Sequence, residues 1–340
     1  MSDVSLSLQD AHDLVFKALV ANRTSAENAR FVADALVAAD ASGQPGHGLS
    51  RVSGYAAQSR SGKVDGYAVP EIEKAAPGVL RVNANYGFAY PAISVALEKL
   101  PDMARSQGIA MAAIRHSHHF GQGGAHCEAL AEAGLVSFVF GNAPAAIAPW
   151  GGKTALFGTN PIAFAAPVPG QPPLVIDLAV STVAKGKIMT AEKTGKAIPE
   201  GWALDAEGNP TTNASAAMKG TMVPIGGAKG AALAMMIDVL GGALVGAALG
   251  HQSTSLFSGE GAAPDLGQVI IAIDPNLSSF GAFGDKMTTM VEAVEGVEGA
   301  RMPGSRRIGL REAAARDGIL IPEQIYREVL ALSGQQQGAA

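Results

Sequence analysis

The spacing of apolar residues changes twice along this chain of 340 residues, and this limits the folds open to it more than any other feature. The residues from Leu6 to Ser61, and those from Ser305 onward, have the spacing of amphipathic helices. Between them, short segments rich in β-branched residues alternate with further helical segments. This order predicts a mixed α/β core enclosed by a helical module that both ends of the chain supply.

The predicted boundaries follow from this pattern and from the residues that start and stop helices. The helical module covers residues 1–75 with 305–340, and the α/β domain covers residues 76–304. The predicted helices are Leu6–Ala21, one that begins at Thr24–Ser25, His47–Ser61, Tyr90–Ser106, Ala125–Ala133 and Lys229–Leu249. The predicted strands are Gly78–Asn83, Gly108–Arg115, Leu135–Gly141, Pro161–Pro167, Leu174–Leu178 and Val269–Ile273. Residues 334–340 are expected to form a frayed tail.

The segment from Ala231 to Leu249 is almost entirely apolar and long enough to cross a membrane. Asp238 lies near its middle, however, and a charged side chain at that depth costs a few kcal/mol. Gly241, Gly242 and Gly246 also interrupt the segment. We therefore expect a buried core helix whose glycines allow close packing, and no membrane partner.

The composition excludes several classes of protein. The chain has 25 Lys and Arg against 30 Asp and Glu, a net charge of −5, so no basic surface for a nucleic acid is indicated. The single cysteine, Cys127, leaves no internal disulfide, and the residues after Met1 lack the basic and apolar blocks of a signal peptide. A cytoplasmic location is the expectation that follows.

A glycine-rich turn lies between a predicted strand and the helix that starts near Ala125. Such a turn can hold an anion, because unpaired N–H groups point outward at the start of a helix. It is not the G-x-G-x-x-G dinucleotide fingerprint, since Gly121 and Gly123 fit but His126 occupies the third glycine position. The next strand ends at Asn142, with no acidic residue to bind a ribose hydroxyl. A different phosphate-binding loop stays open.

Four of the seven histidines lie close together in sequence, at positions 116, 118, 119 and 126. Their spacing matches no structural zinc site, and the sequence has no C-x-x-C or H-E-x-x-H motif. From the residues alone, loop histidines satisfied by hydrogen bonds are favoured over metal ligands. A metal-dependent hydrolase remains the remote alternative, and an interaction protein without activity is a further one.

His47 and Arg51 stand four residues apart at a predicted helix start, so both are expected on one helix face. Arginine can hold a carboxylate through two hydrogen bonds, while histidine can exchange a proton near neutral pH. The pair therefore suits a substrate with a carboxylate next to a carbonyl group. A helix start with two incidental residues is an equally good interpretation of this pair alone.

Six segments, taken together and in this order, resemble one family of enzymes over nearly the whole chain. They are Gly46–Arg51, Ser117–Gly121, Leu156–Pro161, Asp177–Ala179, Gly226–Gly230 and Arg301–Arg307. The family is the malate/L-lactate dehydrogenase family of the non-Rossmann type, which includes sulfolactate and ureidoglycolate dehydrogenases, diketogulonate reductase and Δ1-piperideine-2-carboxylate/Δ1-pyrroline-2-carboxylate reductases. The resemblance implies an α/β (α+β) fold with a mixed, largely antiparallel sheet wrapped by helices. That fold accounts for the failed fingerprint.

The resemblance also implies an NAD(P)-dependent oxidoreductase and a role for each matching position. His47 is the expected proton donor to the substrate, and the expected substrate contacts are Arg51, Thr159, Lys185, Gly186 and Lys187. The expected contacts to NADP or NAD, with NADPH slightly favoured, are His119, Phe120, Gly121, Gln122, Gly123, Asp177, Leu178, Ala179, Ala228, Lys229, Arg301, Met302, Pro303, Gly304, Ser305, Arg306 and Arg307. The cationic members of this set suit phosphate groups. The resemblance further implies a homodimer with the site at the interface.

Two positions depart from the imine reductases of this family. Those enzymes have a serine immediately before the histidine and an aspartate shortly after the substrate-contacting pair, whereas this chain has Gly46 and Lys187. The added cation favours a substrate with a second anionic group, as in malate or sulfolactate. The segment from Ser117 to Phe120 nevertheless resembles the imine reductases, so a cyclic imino acid is the alternative substrate.

Overall fold

The structure is a computed structural model that describes residues 3–334. The helices within these residues are α1 (Leu8–Val20), α2 (Ala26–Ala41), α3 (Val52–Ser61), α4 (Ala89–Gln107), α5 (Gly123–Glu132), α6 (Lys185–Lys193), α7 (Ala214–Lys219), α8 (Ala228–Asp238), α9 (Phe283–Glu295), α10 (Ser305–Asp317) and α11 (Glu323–Leu332). The strands are β1 (Asp3–Leu6), β2 (Glu71–Ala76), β3 (Val79–Asn83), β4 (Ile109–Ser117), β5 (Val136–Gly141), β6 (Ile162–Val168), β7 (Gln171–Leu178), β8 (Ala203–Leu204), β9 (Pro210–Thr211), β10 (Thr221–Met222), β11 (Leu266–Ile273) and β12 (Ile319–Pro322).

Seven of the strands form one sheet in the order β2-β3-β4-β11-β5-β6-β7. The pair β3 and β4 is parallel, and the other neighbours are antiparallel, which confirms the predicted mixed, largely antiparallel sheet. The central strand β11 is buried along nearly its whole length, because β4 and β5 flank it and helices cover the sheet. Its continuous apolar run from Val269 to Ile273 is typical of a strand buried on both faces.

The helices from the two ends of the chain share one hydrophobic cluster. Residues of α1, α2 and α3 pack there against Ala314 of α10 and Val329 of α11. The same ends pair as strands, with β1 antiparallel to β12. The predicted division into two domains remains a prediction, and its boundary at residue 75 falls inside β2.

A small unit between β7 and α8 was missed by sequence reasoning. It contains α6, α7 and the three-stranded sheet β10-β8-β9, packed around a separate cluster that includes Ile188, Ile198 and Met222. The strands here have two residues each, so they show no measurable periodicity. Helix α9 and strands β1, β2 and β12 were missed as well.

Several predicted boundaries are wrong for local reasons. The first helix begins at Leu8 rather than Leu6, because the side chain of Ser7 accepts a hydrogen bond from Asp10 N and caps the helix. The region after Ser305 is not one helical stretch, since β12 separates α10 from α11. Of the predicted frayed tail, residues 335–340 lie outside the described residues.

The predicted helix Lys229–Leu249 is shorter and less buried than expected. Helix α8 ends at Asp238, whose carboxylate accepts a hydrogen bond from Gly250 N, and a π-helical turn follows. Gly241 belongs to this turn, where a Cβ would lie 2.6 Å from Asn142 N. The side chains left exposed, against the prediction of a fully buried helix, are those of Met235, Met236, Val239 and Leu244. Within residues 3–334 no helix has the length and apolar character needed to span a membrane.

Candidate active site

His47 and Arg51 are carried by two successive 3-10 turns, Pro45–His47 and Leu49–Arg51, rather than by the start of one helix as predicted. Gly48 separates the turns in an extended conformation, and a Cβ there would lie 2.1 Å from an Asp40 carboxylate oxygen. The same carboxylate accepts a hydrogen bond of 2.7 Å from Leu49 N. Burial raises the pKa of Asp40 to about 6. Asp40 therefore shapes the segment that presents the two predicted site residues.

The imidazole rings of His47 and His119 have nearly parallel planes and meet through one nitrogen of each ring. Their centroids are 5.2 Å apart with an angle of 8° between the planes, and Nδ1 of His47 is 3.2 Å from Nε2 of His119. His119 follows the end of β4, so the sheet and the N-terminal turns meet here. The pKa of His47 is lowered to about 4 by burial and by the nearby Arg51 cation. His47 is therefore a neutral imidazole at physiological pH.

Behind His119, two buried tyrosines continue the hydrogen bonds into the protein. The Tyr55 hydroxyl is 2.6 Å from Nδ1 of His119 and 3.2 Å from the Tyr90 hydroxyl. Burial raises the pKa of Tyr55 to about 12, and burial also raises the pKa of Tyr90. Burial lowers the pKa of His119, and Arg51 lowers it further. His119, Tyr55 and Tyr90 are thus uncharged around neutral pH, as His47 is.

The guanidinium of Arg51 is held at the rim of this cluster. Its Nε donates a hydrogen bond of 2.6 Å to Gly46 O, and its Cζ lies 4.9 Å from the centre of the Phe257 ring. The loop that carries Phe257 is fixed by the buried Lys63, whose Nζ donates to the carbonyl oxygens of residues 255, 258 and 260. Gln58 donates to the same loop and accepts from Nε2 of His118. The positively charged Arg51 guanidinium is therefore held beside the imidazole of His47.

A second cluster joins three of the segments predicted to bind the cofactor. Gly124, at the start of α5, donates a hydrogen bond of 2.8 Å from its N–H to the Asp177 carboxylate at the end of β7. Arg307 of α10 lies beside both, because a Cβ at Gly124 would be 2.9 Å from its Nη1. Burial raises the pKa of Asp177, and the Arg307 cation opposes that rise. Gly304, with a φ of 80°, ends the loop against Arg307.

The second cluster fits a nicotinamide dinucleotide on structural grounds. The start of helix α5 and the Arg307 guanidinium lie together here, and a guanidinium suits a pyrophosphate, while the Gly124 N–H is bonded to the Asp177 carboxylate. Three buried polar atoms between β4 and α5 have no partner among residues 3–334, and they suit a ligand with its own donors and acceptors. These atoms are Ser117 Oγ, His118 Nδ1 and Gln122 Oε1.

The structure does not bring every predicted site residue together. Within the described chain, no hydrogen bond or ion pair links Thr159 or the residues 185–187 to His47 or Arg51. Lys187 is exposed at the first turn of α6, whereas burial lowers the pKa of Lys185. Ala228 and Lys229 are exposed at the first turn of α8. Their predicted roles stay predictions.

The clustered histidines do not form a metal site in the part of the chain that the structure describes, where no group of three His, Cys, Asp or Glu side chains is placed to hold an ion. His116 instead pairs with Asn83 and stacks on Tyr86. His126 lies 2.8 Å from Phe120 O. The interpretation of hydrogen-bonded histidines accounts for both residues.

Sequence reasoning missed Tyr55 and Tyr90, as well as Gln58 and Lys63. One signal for Tyr55 was present, since it stands four residues after Arg51 and therefore on the same face of the predicted helix His47–Ser61. The other three residues are buried polar groups whose partners are distant in sequence, so no local pattern marks them. Their positions depend on the packing of α3 and α4 against the end of β4.

The glycine at position 124 provides a prediction about the cofactor. In Gly124→Ala the new Cβ would meet Arg307 Nη1 and Asp177, so both groups must shift. We expect the dissociation constant of NADPH, measured by its fluorescence on binding, to rise about tenfold, equivalent to about 1.4 kcal/mol. Gly309→Ala is the matched control, because a Cβ there meets no atom of the described residues within 4 Å. An unchanged dissociation constant in Gly124→Ala would show that this cluster does not bind the cofactor.

Comparison with known proteins gives the following similarities. The sequence profile of the family described as malate/L-lactate dehydrogenase matches residues 6–330. The chain is 47% identical over 326 residues to a Chromohalobacter salexigens protein named (2R)-3-sulfolactate dehydrogenase (NADP(+)), covering 96% of this chain and 97% of that protein. It is 42% identical over 332 residues to the Δ1-pyrroline-2-carboxylate/Δ1-piperideine-2-carboxylate reductase of Pseudomonas aeruginosa, at 97% and 99% coverage. The crystal structure of Δ1-piperideine-2-carboxylate reductase from Pseudomonas syringae superposes with a TM-score of 0.91 at 37% identity, covering 97% of this chain and 99% of that one.

Proposed function

Because this chain belongs to the malate/L-lactate dehydrogenase family and is an NAD(P)-dependent oxidoreductase, we propose that its substrate is a small 2-oxo or 2-hydroxy acid with a second anionic group. A three-carbon acid with a sulfonate, as in 3-sulfolactate and sulfopyruvate, fits this description. Hydride is exchanged at C2 of the substrate, and NADPH is the preferred cofactor. The relative named sulfolactate dehydrogenase (NADP(+)) supports both parts of the proposal.

The observation that carries the choice of substrate is the pair of residues at positions 46 and 187. Gly46 precedes His47 without offering a hydroxyl group, and Lys187 offers an exposed ammonium instead of a carboxylate. A serine–histidine–aspartate arrangement, which the imine reductases of the family are expected to have, therefore cannot form from Gly46 and Lys187. An ammonium is suited to a sulfonate or a second carboxylate.

The mechanism assigns separate tasks to His47 and Arg51. Arg51 binds the substrate carboxylate through its guanidinium, and this fixes the C2 oxygen next to the imidazole. His47 gives a proton from Nε2 to that oxygen in reduction and accepts it in oxidation. When bound, NAD(P)H supplies the hydride that C2 accepts. Within residues 3–334 the structure gives Nε2 of His47 no hydrogen-bond partner, so this nitrogen is free for the substrate.

We propose that the cluster of Gly124, Asp177 and Arg307 holds the cofactor, together with the other cofactor contacts that the sequence predicts. Arg301 and Arg306 are exposed next to this cluster in sequence. An additional guanidinium there is suited to the 2′-phosphate that distinguishes NADP from NAD. This supports NADPH over NADH.

A cyclic imino acid is the second candidate substrate, and one observation favours it. His118 and His119 lie in a segment that resembles the imine reductases, and the chain is 42% identical to a protein named for that activity. A protonated cyclic imine also carries its carboxylate next to the reacting carbon, so Arg51 could hold it in the same way. The two substrates differ in the second anionic group, and this makes them separable by experiment.

The test is a spectrophotometric panel of initial rates with NADPH and NADH. The substrates are sulfopyruvate, oxaloacetate, pyruvate, Δ1-pyrroline-2-carboxylate and Δ1-piperideine-2-carboxylate. We expect sulfopyruvate with NADPH to have the highest kcat/KM, followed by oxaloacetate. A kcat/KM for either imine far above every oxo acid would replace this proposal with the second candidate.

Positions 46 and 187 also provide a prediction about specificity. Gly46→Ser is sterically allowed, because a Cβ at Gly46 meets no atom within 4 Å in the part of the chain that the structure describes. In the double variant Gly46→Ser, Lys187→Asp, we expect kcat/KM for sulfopyruvate to fall about a hundredfold relative to the cyclic imines, since an attractive charge becomes a repulsive one. Lys193→Asp, at the exposed end of the same helix, is the control for the change in charge. An unchanged ratio of the two kcat/KM values would show that these positions do not select the substrate.

A homodimer is part of the proposal. The exposed apolar residues of α8 and the following turn form a surface that a second copy can cover, namely Met235, Met236, Val239 and Leu244. Within residues 3–334 no hydrogen bond joins residues 185–187 to His47, which is consistent with a site completed across an interface. Light scattering of the purified protein measures this, and the mass of a single chain would contradict it.

A further inference from the structure

The hydrogen bonds behind His47 form an unbroken chain of four side chains. They run from His47 Nδ1 to His119 Nε2 at 3.2 Å, from His119 Nδ1 to the Tyr55 hydroxyl at 2.6 Å, and from there to the Tyr90 hydroxyl at 3.2 Å. Both tyrosines are almost fully buried, at 1% and 4% exposure. We propose that Tyr55, acting through His119, fixes the proton of His47 on Nε2 and supplies the proton that replaces it.

The direction of the chain follows from the acidity of its members. A phenol hydroxyl is a stronger acid than the N–H of a neutral imidazole, and an imidazole nitrogen is a stronger base than a phenol oxygen. Tyr55 therefore donates to Nδ1 of His119 across the short hydrogen bond of 2.6 Å. Since His119 is neutral, its one remaining proton lies on Nε2, the atom that faces His47. His119 therefore donates to Nδ1 of His47.

The same step then determines the tautomer of His47. Its Nδ1 accepts from His119, so the single proton of the neutral ring lies on Nε2. That is the nitrogen without a partner among residues 3–334, and it is the proposed donor to the substrate. Without these hydrogen bonds, a histidine distributes its proton over both ring nitrogens. Only the fraction of enzyme molecules with the proton on Nε2 of His47 could then donate it to the substrate.

The chain also answers how a neutral imidazole can give up a proton. When Nε2 of His47 transfers its proton to the substrate oxygen, Nδ1 of His47 takes the proton of His119 Nε2. Nδ1 of His119 then takes the Tyr55 proton. Each N–H or O–H bond that breaks is matched by one that forms, and the negative charge ends on the Tyr55 oxygen. Burial raises the pKa of Tyr55 and so disfavours this charge, but the Arg51 cation and the hydrogen bond from the Tyr90 hydroxyl both oppose that rise.

The missing proton returns from solvent after the product has left. Tyr90 is the far end of the chain and also lines a cavity of about 280 Å³ together with Asp34, Gln122 and His126. The residues that line this cavity do not include His47, His119 or Tyr55. Water there can restore the tyrosine proton without passing the substrate.

Gly121 keeps the Tyr90 end of the chain open. It has a φ of 68°, and a Cβ at this position would lie 2.8 Å from the Tyr90 hydroxyl oxygen. A side chain here would push Tyr90 away from Tyr55. The glycine-rich turn therefore serves the proposed proton chain as well as the proposed cofactor site.

The inference rests on the proposed role of His47, so the experiment separates the two. The first measurement needs neither substrate nor cofactor: long-range proton–nitrogen correlation spectra of isotope-labelled histidine report the tautomer of each ring. We expect the Nε2–H tautomer for both His47 and His119 in the unsubstituted protein. In Tyr55→Phe we expect both rings to show mixed tautomers. Spectra of His47→Gln and His119→Gln assign the signals.

The second measurement is kinetic. We expect Tyr55→Phe to lower kcat about tenfold to a hundredfold while KM changes little, because the carboxylate is held by Arg51 and not by Tyr55. We also expect the dependence of rate on the deuterium fraction of the solvent to change from curved, with several protons in motion, to linear. Tyr326→Phe, on α11 of the helical module, is the control for loss of a tyrosine hydroxyl.

The outcomes separate the two claims. A Nδ1–H tautomer of His47 in the unsubstituted protein, or Tyr55→Phe spectra and kcat equal to those of the unsubstituted protein, would overturn the proton chain and leave the proposed function standing. Full turnover by His47→Ala would exclude His47 as the proton donor and the proton chain with it. A kcat/KM for a cyclic imine far above that for every oxo acid would instead overturn the proposed function and leave the tautomers unchanged.

Discussion

Replacing His47 by alanine is expected to lower kcat at least about a hundredfold in the reduction of sulfopyruvate, the usual contribution of a positioned proton donor. The residue lies next to Arg51, its Nε2 has no hydrogen-bond partner within residues 3–334, and its Nδ1 is held by His119. A water molecule could donate the proton in place of the imidazole, but it would not be held in the same orientation toward the substrate. The measurement is kcat with saturating NADPH and substrate, and KM should change little because the carboxylate contact remains.

The control for His47→Ala is His12→Ala, which removes an imidazole from α1 at a site that pairs with Asp34. We expect its kcat to equal that of the unsubstituted protein. Binding of NADPH to His47→Ala shows whether the site has stayed intact. Turnover near that of the unsubstituted protein in His47→Ala would exclude His47 as the proton donor.

Replacing Arg51 by methionine is expected to raise KM for the oxo acid by about a hundredfold, equivalent to about 2.7 kcal/mol. Charge-assisted hydrogen bonds to a carboxylate have this magnitude when two N–H groups of a guanidinium donate to its two oxygens. Methionine keeps the length of the side chain and its contact with Phe257, so packing is largely preserved. We also expect kcat to fall, since a misplaced carboxylate misplaces the C2 oxygen.

Arg51→Lys is the matched variant for charge. A lysine ammonium keeps the attraction to the carboxylate but loses the two parallel hydrogen bonds. We therefore expect its KM to lie between that of the unsubstituted protein and that of Arg51→Met. The dissociation constant of NADPH should stay the same in both variants. A KM in Arg51→Met equal to that of the unsubstituted protein would mean that another cation, such as Lys185 or Lys187, binds the carboxylate.

Most of the seven-stranded sheet was predictable because its strands other than β2 contain apolar runs. Strands β3 to β6 agree with the predictions to within one or two residues, and their periodicity depends only on which face is buried. The two-residue strands β8 to β10 carry no such signal, since two residues cannot define a period. The α8 region was misjudged because an apolar run alone does not distinguish a buried helix from one with an exposed apolar side.

The site was predictable in its residues but not in its connections. His47 and Arg51 were found from their spacing, although the supposed single helix is two short turns separated by Gly48. His119 was assigned to the cofactor, whereas both of its ring nitrogens are engaged by His47 and Tyr55. These contacts join residues between 64 and 72 positions apart, and no local pattern encodes a hydrogen bond over that distance.

The most direct test of the account is a crystal structure of the protein with NADP+ and sulfopyruvate, two ligands that cannot react with each other. We expect the substrate carboxylate to lie within hydrogen-bond distance of the Arg51 guanidinium. The C2 oxygen should lie within hydrogen-bond distance of Nε2 of His47, with C2 facing the nicotinamide. A substrate bound with its C2 oxygen away from His47, or its carboxylate on another cation, would contradict the account.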